Sequence, residues 1–220
     1  MPSLIRSWFH LAAPIALLVV VTGCDEDSSL DCNSYLDESP SGSHVTVQLI
    51  NQRAEPIFFS HWEGCSSWGD LAGVEAPDGS TAEPPTFGFS CEFWQDHDTM
   101  PAVGCEAVSL TAVAPGGTHQ VDWAPVYYQT QEMPESCFAG EVRNPCIQAR
   151  TATAGTYTFS AVAHTAAEGC DGMEDPCPCE GPAQDTCSAS GMLLSPAGDL
   201  LNASATLDYP TATEVDIIFQ

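Results

Sequence analysis

Apolar and polar residues alternate along seven stretches of the chain, the period expected of strands with one buried face. His44-Val45-Thr46-Val47-Gln48-Leu49-Ile50 sets Val45, Val47 and Leu49 on one side. Pro56–Trp62, Ala107–Val113 and Thr118–Trp123 read as three further strands, and Pro115-Gly116-Gly117 supplies a turn between the last two. Gly155–His164 is a fifth, with Tyr157, Phe159, Ala161 and Ala163 on one face. Leu201, Ala203, Ala205, Leu207 and Tyr209 alternate in a sixth, and Glu214–Phe219 closes the set. No window holds apolar residues at i, i+3, i+4 and i+7 over three turns, and 17 Gly and 17 Pro interrupt the chain too often for long helices. The pattern predicts an all-β fold, an antiparallel β-sandwich of about seven strands occupying residues 44–220.

Three Cys-bearing inserts, Gly64–Cys105, Gln129–Arg150 and Ala166–Cys187, show no periodicity and are expected to be long disulfide-tied loops. Trp62, Trp68, Phe87, Phe89, Phe93 and Trp94 concentrate in and beside the first. The favoured reading of these aromatics is a small core beneath disulfide-tied loops. Exposed Trp side chains are also frequent binding anchors, so Trp62, Trp68 and Trp94 are candidate binding residues as the alternative. Val113-Ala114-Pro115-Gly116-Gly117, followed later by Ala154-Gly155-Thr156-Tyr157-Thr158-Phe159, resembles many Ig-like envelope domains. In those, a Pro-Gly turn precedes one strand and a G-x-Y-x-F/V strand follows. The resemblance implies an Ig-like sandwich and says nothing about activity.

The N-terminus reads as an address. Met1–His10 carries Arg6 and no acid, and Leu11–Val21 is an apolar run of 11 residues. That run suits a signal peptide and falls short of the roughly 20 residues needed to span a bilayer. Val21-Thr22-Gly23-Cys24 then resembles the lipobox of bacterial lipoproteins: an aliphatic residue, two small residues and a Cys. The resemblance covers residues 1–24. It implies a signal peptide at 1–23, acylation of the Cys24 thiol, and Cys24 as the new N-terminus. Two or three acyl chains hold a protein durably, at about 0.8 kcal/mol per buried CH₂. The alternative is an ordinary secreted protein with a Cys by chance after its signal. Asp25 and Glu26 do not decide between inner and outer membrane, so the expected location is the cell envelope, membrane-anchored and facing the periplasm or the cell surface. Residues 24–43, rich in Ser and acids, read as a tether that Cys32 would pin.

Charge narrows the partners. Thirty acids stand against four basic residues, all Arg, for a net charge of −26. Removing residues 1–23 takes away Arg6 alone and leaves 3 Arg against 30 acids, or −27. Such a chain cannot neutralise phosphates, so nucleic acid is excluded as a partner. With no Lys, neither a Schiff base nor a P-loop is available. The expected partners are the membrane, through the lipid on Cys24, and another envelope protein or a polysaccharide.

Eleven Cys become ten once Cys24 takes the lipid: Cys32, Cys65, Cys91, Cys105, Cys137, Cys146, Cys170, Cys177, Cys179 and Cys187. An even set in an exported chain reads as up to five disulfides, with short loops favoured for Cys137–Cys146 and within Cys170–Cys187. Zinc would need a second knuckle to match Cys177-Pro178-Cys179, and none is present.

Other chemistry is thin. Gly155–Phe159 followed by His164 and Met173 resembles the ligand strand of cupredoxins, but Ala161 stands where that family has its Cys, so blue copper is excluded. Asp96-His97-Asp98 and the trio Asp171, Glu174 and Asp175 offer hard ligands for Ca²⁺ or another divalent metal, though neither matches an EF-hand loop. No G-x-S-x-G elbow appears. The chain is therefore expected to be a lipid-anchored envelope protein with a non-catalytic binding or structural role and no cofactor. A Ca²⁺-binding domain is the alternative, and an extracytoplasmic hydrolase a third reading.

Overall fold

A computed structural model describes residues 31–62, 70–81, 89–100, 104, 108–169, 185–191 and 194–220. These residues form eleven strands: β1 (Val45–Asn51), β2 (Ile57–Trp62), β3 (Leu71–Glu75), β4 (Val108–Val113), β5 (Thr118–Trp123), β6 (Val126–Gln131), β7 (Cys146–Thr151), β8 (Gly155–Glu168), β9 (Thr186–Gly191), β10 (Ser195–Tyr209) and β11 (Glu214–Phe219). A short helix, α1 (Cys91–Asp96), and 3-10 turns at Cys32–Tyr35 and Glu135–Cys137 complete the set. All seven strands expected from alternation are present. The expected count of about seven is nevertheless too low, because β3, β6, β7 and β9 add to it.

One sheet has the order β11-β1-β5; the other runs β10-β8-β2-β4-β9, with β3 also paired to β8. Strands β6 and β7 form a separate hairpin. Every pairing is antiparallel except β1 with β11, which is parallel.

Alternation explains the layering. In β1 every second residue is buried, and Val45, Val47 and Leu49 are fully enclosed. Val215, Ile217 and Phe219 of β11 and Trp123 of β5 point to the same interior. From the facing sheet come Ile57, Phe59, Tyr157, Phe159, Ala161 and Ala163. Trp123 lies 5.4 Å from the Tyr157 ring and 5.2 Å edge-on to Phe159, so the two sheets interlock through aromatics. Each such side chain contributes roughly 1.5–3 kcal/mol by leaving water. Strand β4 is buried at all six positions because its outer face is covered too: Val108 and Leu110 pack on Leu194.

Two polar residues close the ends. The Tyr157 hydroxyl donates to the Thr153 carbonyl (3.0 Å) and accepts from the Thr153 N–H (2.9 Å). That loop closure is also found at a corner of immunoglobulin-type sandwiches. Asn51, fully buried, donates from Nδ2 to the carbonyls of Glu55, Val113 and Ala114, and its Oδ1 accepts from the Arg53 N–H. It locks the end of β1 to the β4–β5 turn. Gly116 in that turn has φ +76°, a conformation L side chains rarely adopt.

A second core sits at the loop end of the β6–β7 hairpin. It gathers Cys91 and Trp94 of α1 with Met133, Cys137, Phe138 and Cys146. Two disulfides staple it, Cys32–Cys137 and Cys91–Cys146, with Cα–Cα distances of 5.5 and 5.1 Å. The short loop expected between Cys137 and Cys146 is therefore not formed. The Asn144 side chain accepts from the Met133 N–H and donates to its carbonyl, and the two sulfurs bond outward to Cys32 and Cys91. Cys187 is disulfide-bonded as well.

Of the segment read as a tether, residues 31–43 are described, and Ser34–Ser39 lie on β7 as a strap. The Ala149 carbonyl accepts from the Glu38 N–H (2.9 Å), while Asp37 and Glu38 carboxylates accept from the Ala149 and Thr151 N–H groups (both 2.8 Å). Gln148, 1% exposed, donates to the carbonyls of Ser34 and Leu36. The strap thus satisfies the outer edge of β7, a position that would otherwise offer open backbone groups to another strand.

Candidate functional site

The most unusual polar arrangement among the described residues is buried between the sheets. β2 places His61 on the same face as Ile57 and Phe59, and β5 places His119 on the same face as Val121 and Trp123. Both imidazoles therefore point toward the core. Asp70 lies between them, just ahead of β3, where β8 changes partner from β2 (Phe58 opposite His164) to β3 (Leu71 opposite Ala161). Its carboxylate bridges both rings: His61 Nδ1 to Oδ1 at 3.0 Å and His119 Nε2 to Oδ2 at 2.8 Å. The Asp70 side chain is 4% exposed, and those of His61 and His119 are 25% and 22%.

A carboxylate this deep must be satisfied or neutral. Burial pushes the Asp70 carboxyl upward, but the hydrogen bonds from His119 and His61, and their electrostatic attraction, outweigh it and hold the group at about 2, down from 3.8. Asp70 is thus an anion that only accepts, so His61 donates from Nδ1 and His119 from Nε2. The trio ties one sheet to the other through a single buried charge.

An Asp–His pair also orients an imidazole in acid–base catalysis. Ser109 stands directly opposite His61 in the β2–β4 register. Ser109 is 8% exposed and sits on the inner face of β4. Asp70 is moreover shared between two rings from two sheets. This is the geometry of a brace.

The residues singled out from sequence lie elsewhere. Asp96 ends α1, and His97 stacks on Phe93 with ring centroids 4.0 Å apart and receives the helix end, its backbone N–H donating to the Phe93 carbonyl. Asp98 accepts from the Thr99 hydroxyl. The three follow one another along an exposed chain and do not converge, and among the described residues no three His, Cys, Asp or Glu side chains are placed to hold a metal ion. Asp171, Glu174 and Asp175 lie outside the described residues, as do Trp68, Cys24, Cys65, Cys105, Cys170, Cys177 and Cys179. Trp62 is placed only as the last residue of β2. Trp94 is 8% exposed in the second core, with the Arg143 guanidinium 5.3 Å over its ring. It packs there as part of the small core beneath the loops.

Sequence reasoning did not find the His61–Asp70–His119 brace. One signal was present: two His residues fall on inward registers of predicted strands, and a polar ring on an apolar face calls for a partner. Which of 30 acids supplies it cannot be read from spacings of 9 and 49 residues.

Comparison with protein-family models, curated proteins and solved structures found no match. No helix among the described residues is long and apolar enough to cross a membrane.

Proposed function

We propose that this chain is a lipid-anchored protein of the bacterial cell envelope, with a binding or structural role that involves no catalysis. The observation that carries the reading is the state of its sulfurs. Cys32, Cys91, Cys137, Cys146 and Cys187 are all disulfide-bonded, and bonds of this kind form and persist in chains that mature outside the cytosol. An exported chain needs a signal, and residues 1–23 have its layout, ending at a Cys in lipobox position. The internal brace supports a scaffold: the one buried charged cluster among the described residues spends its hydrogen bonds between the sheets.

The envelope partner is another protein or a polysaccharide, and the repulsion between a −27 chain and phosphates disfavours nucleic acid. The test is a Cys24→Ala variant followed by membrane fractionation and detergent phase separation. The wild type is expected in the membrane and detergent fractions and the variant in the aqueous one. Identical partitioning of the two would overturn the proposal.

A further inference from the structure

We infer that the disulfide Cys32–Cys137 shortens the membrane leash and turns the β6–β7 end of the molecule toward the bilayer. The inference rests on the lipid anchor proposed above. From Cys24 to Cys32 there are eight residue steps, which span at most about 26–29 Å when fully extended. Cys32 is not free to trail beyond that, because it is bonded to Cys137 in the loop of the β6–β7 hairpin. Without this bond the first fixed point would be Ser34, whose carbonyl accepts from the buried Gln148 side chain, at ten steps and about 33–36 Å. Were the strap to lift off β7, the leash would run to Val45, where β1 begins, at twenty-one steps and roughly 70 Å. The bridge and the strap together thus hold the reach to less than half of what a free segment up to Val45 would allow.

The bridge also selects a face. Cys32 and Cys137 belong to the second core, which caps the loop end of the hairpin. The hairpin joins the sandwich at its other end, where Ala152 N–H donates to the Pro125 carbonyl. From there β8 runs away from Gly155 toward Glu168, pairing with β10 as far as Ser195. Leu200, 56% exposed, lies opposite His164 on this distant stretch. Charge sets the stand-off rather than the face. A chain of −27 is repelled by anionic headgroups within a Debye length or so, about 8 Å at physiological salt, so the body stands off as far as its short leash allows.

The experiment uses the acylated full-length protein in vesicles of phosphatidylethanolamine and phosphatidylglycerol, with an acceptor dye on a minority of headgroups. A donor dye is introduced through an unnatural amino acid at Val142, 40% exposed in the hairpin loop, or at Leu200. Energy transfer from position 142 is expected to exceed that from position 200 at least twofold. In a Cys32→Ser/Cys137→Ser double variant the difference is expected to shrink. Equal transfer from the two positions in the oxidised wild type, or stronger transfer from 200, overturns the orientation while leaving the anchor intact. Protein that fails to float with the vesicles, and whose mass lacks acyl groups, overturns the anchor and the orientation with it. The wild-type comparison stands even if the double variant does not fold.

Discussion

Replacing Asp70 by Asn keeps the shape of the side chain and removes the charge on which two imidazoles close. Asn retains one neutral acceptor and turns an NH₂ toward the other ring. The cost can be worked in two ways. A hydrogen bond to a buried charged group contributes about 1.5–3 kcal/mol, and two such bonds are weakened or lost, with partial recovery through the remaining oxygen. Independently, a carboxyl held at about 2 against an ordinary 3.8 stores about 2 kcal/mol of preference for the folded state when ionised. Both routes give a loss of about 2–3 kcal/mol at neutral pH. The sign with pH follows from the depressed value. The contribution of Asp70 is fully present above the unfolded pKa of 3.8, and it is lost as pH falls through about 2. Urea unfolding of wild type and Asp70→Asn at pH 7, 5, 3.5 and 2 measures this as a difference, so acids common to both proteins cancel. The expected gap is about 2–3 kcal/mol at pH 7 and 5, narrowing at 3.5 and small at 2. A gap absent at pH 7, or one that stays constant down to pH 2, would refute the brace.

Other outcomes follow from the same contacts. Asn51→Asp turns an NH₂ shared among three carbonyls into an acceptor facing those of Glu55, Val113 and Ala114. Its thermal midpoint should fall well below that of wild type, and fall further as pH rises and the new carboxyl ionises. Losing Cys91–Cys146, which closes 55 residues, should lower stability by about 2–4 kcal/mol in denaturant titration of a Cys91→Ser/Cys146→Ser variant. Its effect should concentrate in α1 and the hairpin loop, read as faster hydrogen exchange there than in β1 or β8.

How much of this was legible depended on the length and contrast of each pattern. β1, β8 and β11 alternate cleanly because one face meets the core and the other meets water. β3 is five residues with Gly73 in the middle, and its burial runs in from both sides without strict alternation. β9 is built of Thr, Cys, Ser, Ala and Gly, too small and too mixed to give apolar contrast. β6 and β7 form a hairpin whose outer edge is covered by the strap, so Gln148 is as buried as its apolar neighbours and the period is blurred. α1, at six residues, is under two turns and cannot show a helical repeat. The same limit applied to the sites. For Trp94 the choice between a small core and an exposed anchor stayed open because its burial depends on Met133, Cys137 and Phe138, some 40 residues away, and on sulfur pairings that composition leaves open. The brace needed two sheets to be docked before its members met.

The account depends most on export and acylation, and intact mass analysis of native protein reads both at once. It predicts a chain that begins at residue 24, carries acylglyceryl mass on that Cys, and reacts with no thiol reagent until reduced. A chain that still begins with Met1 and whose cysteines all alkylate without reduction would contradict it.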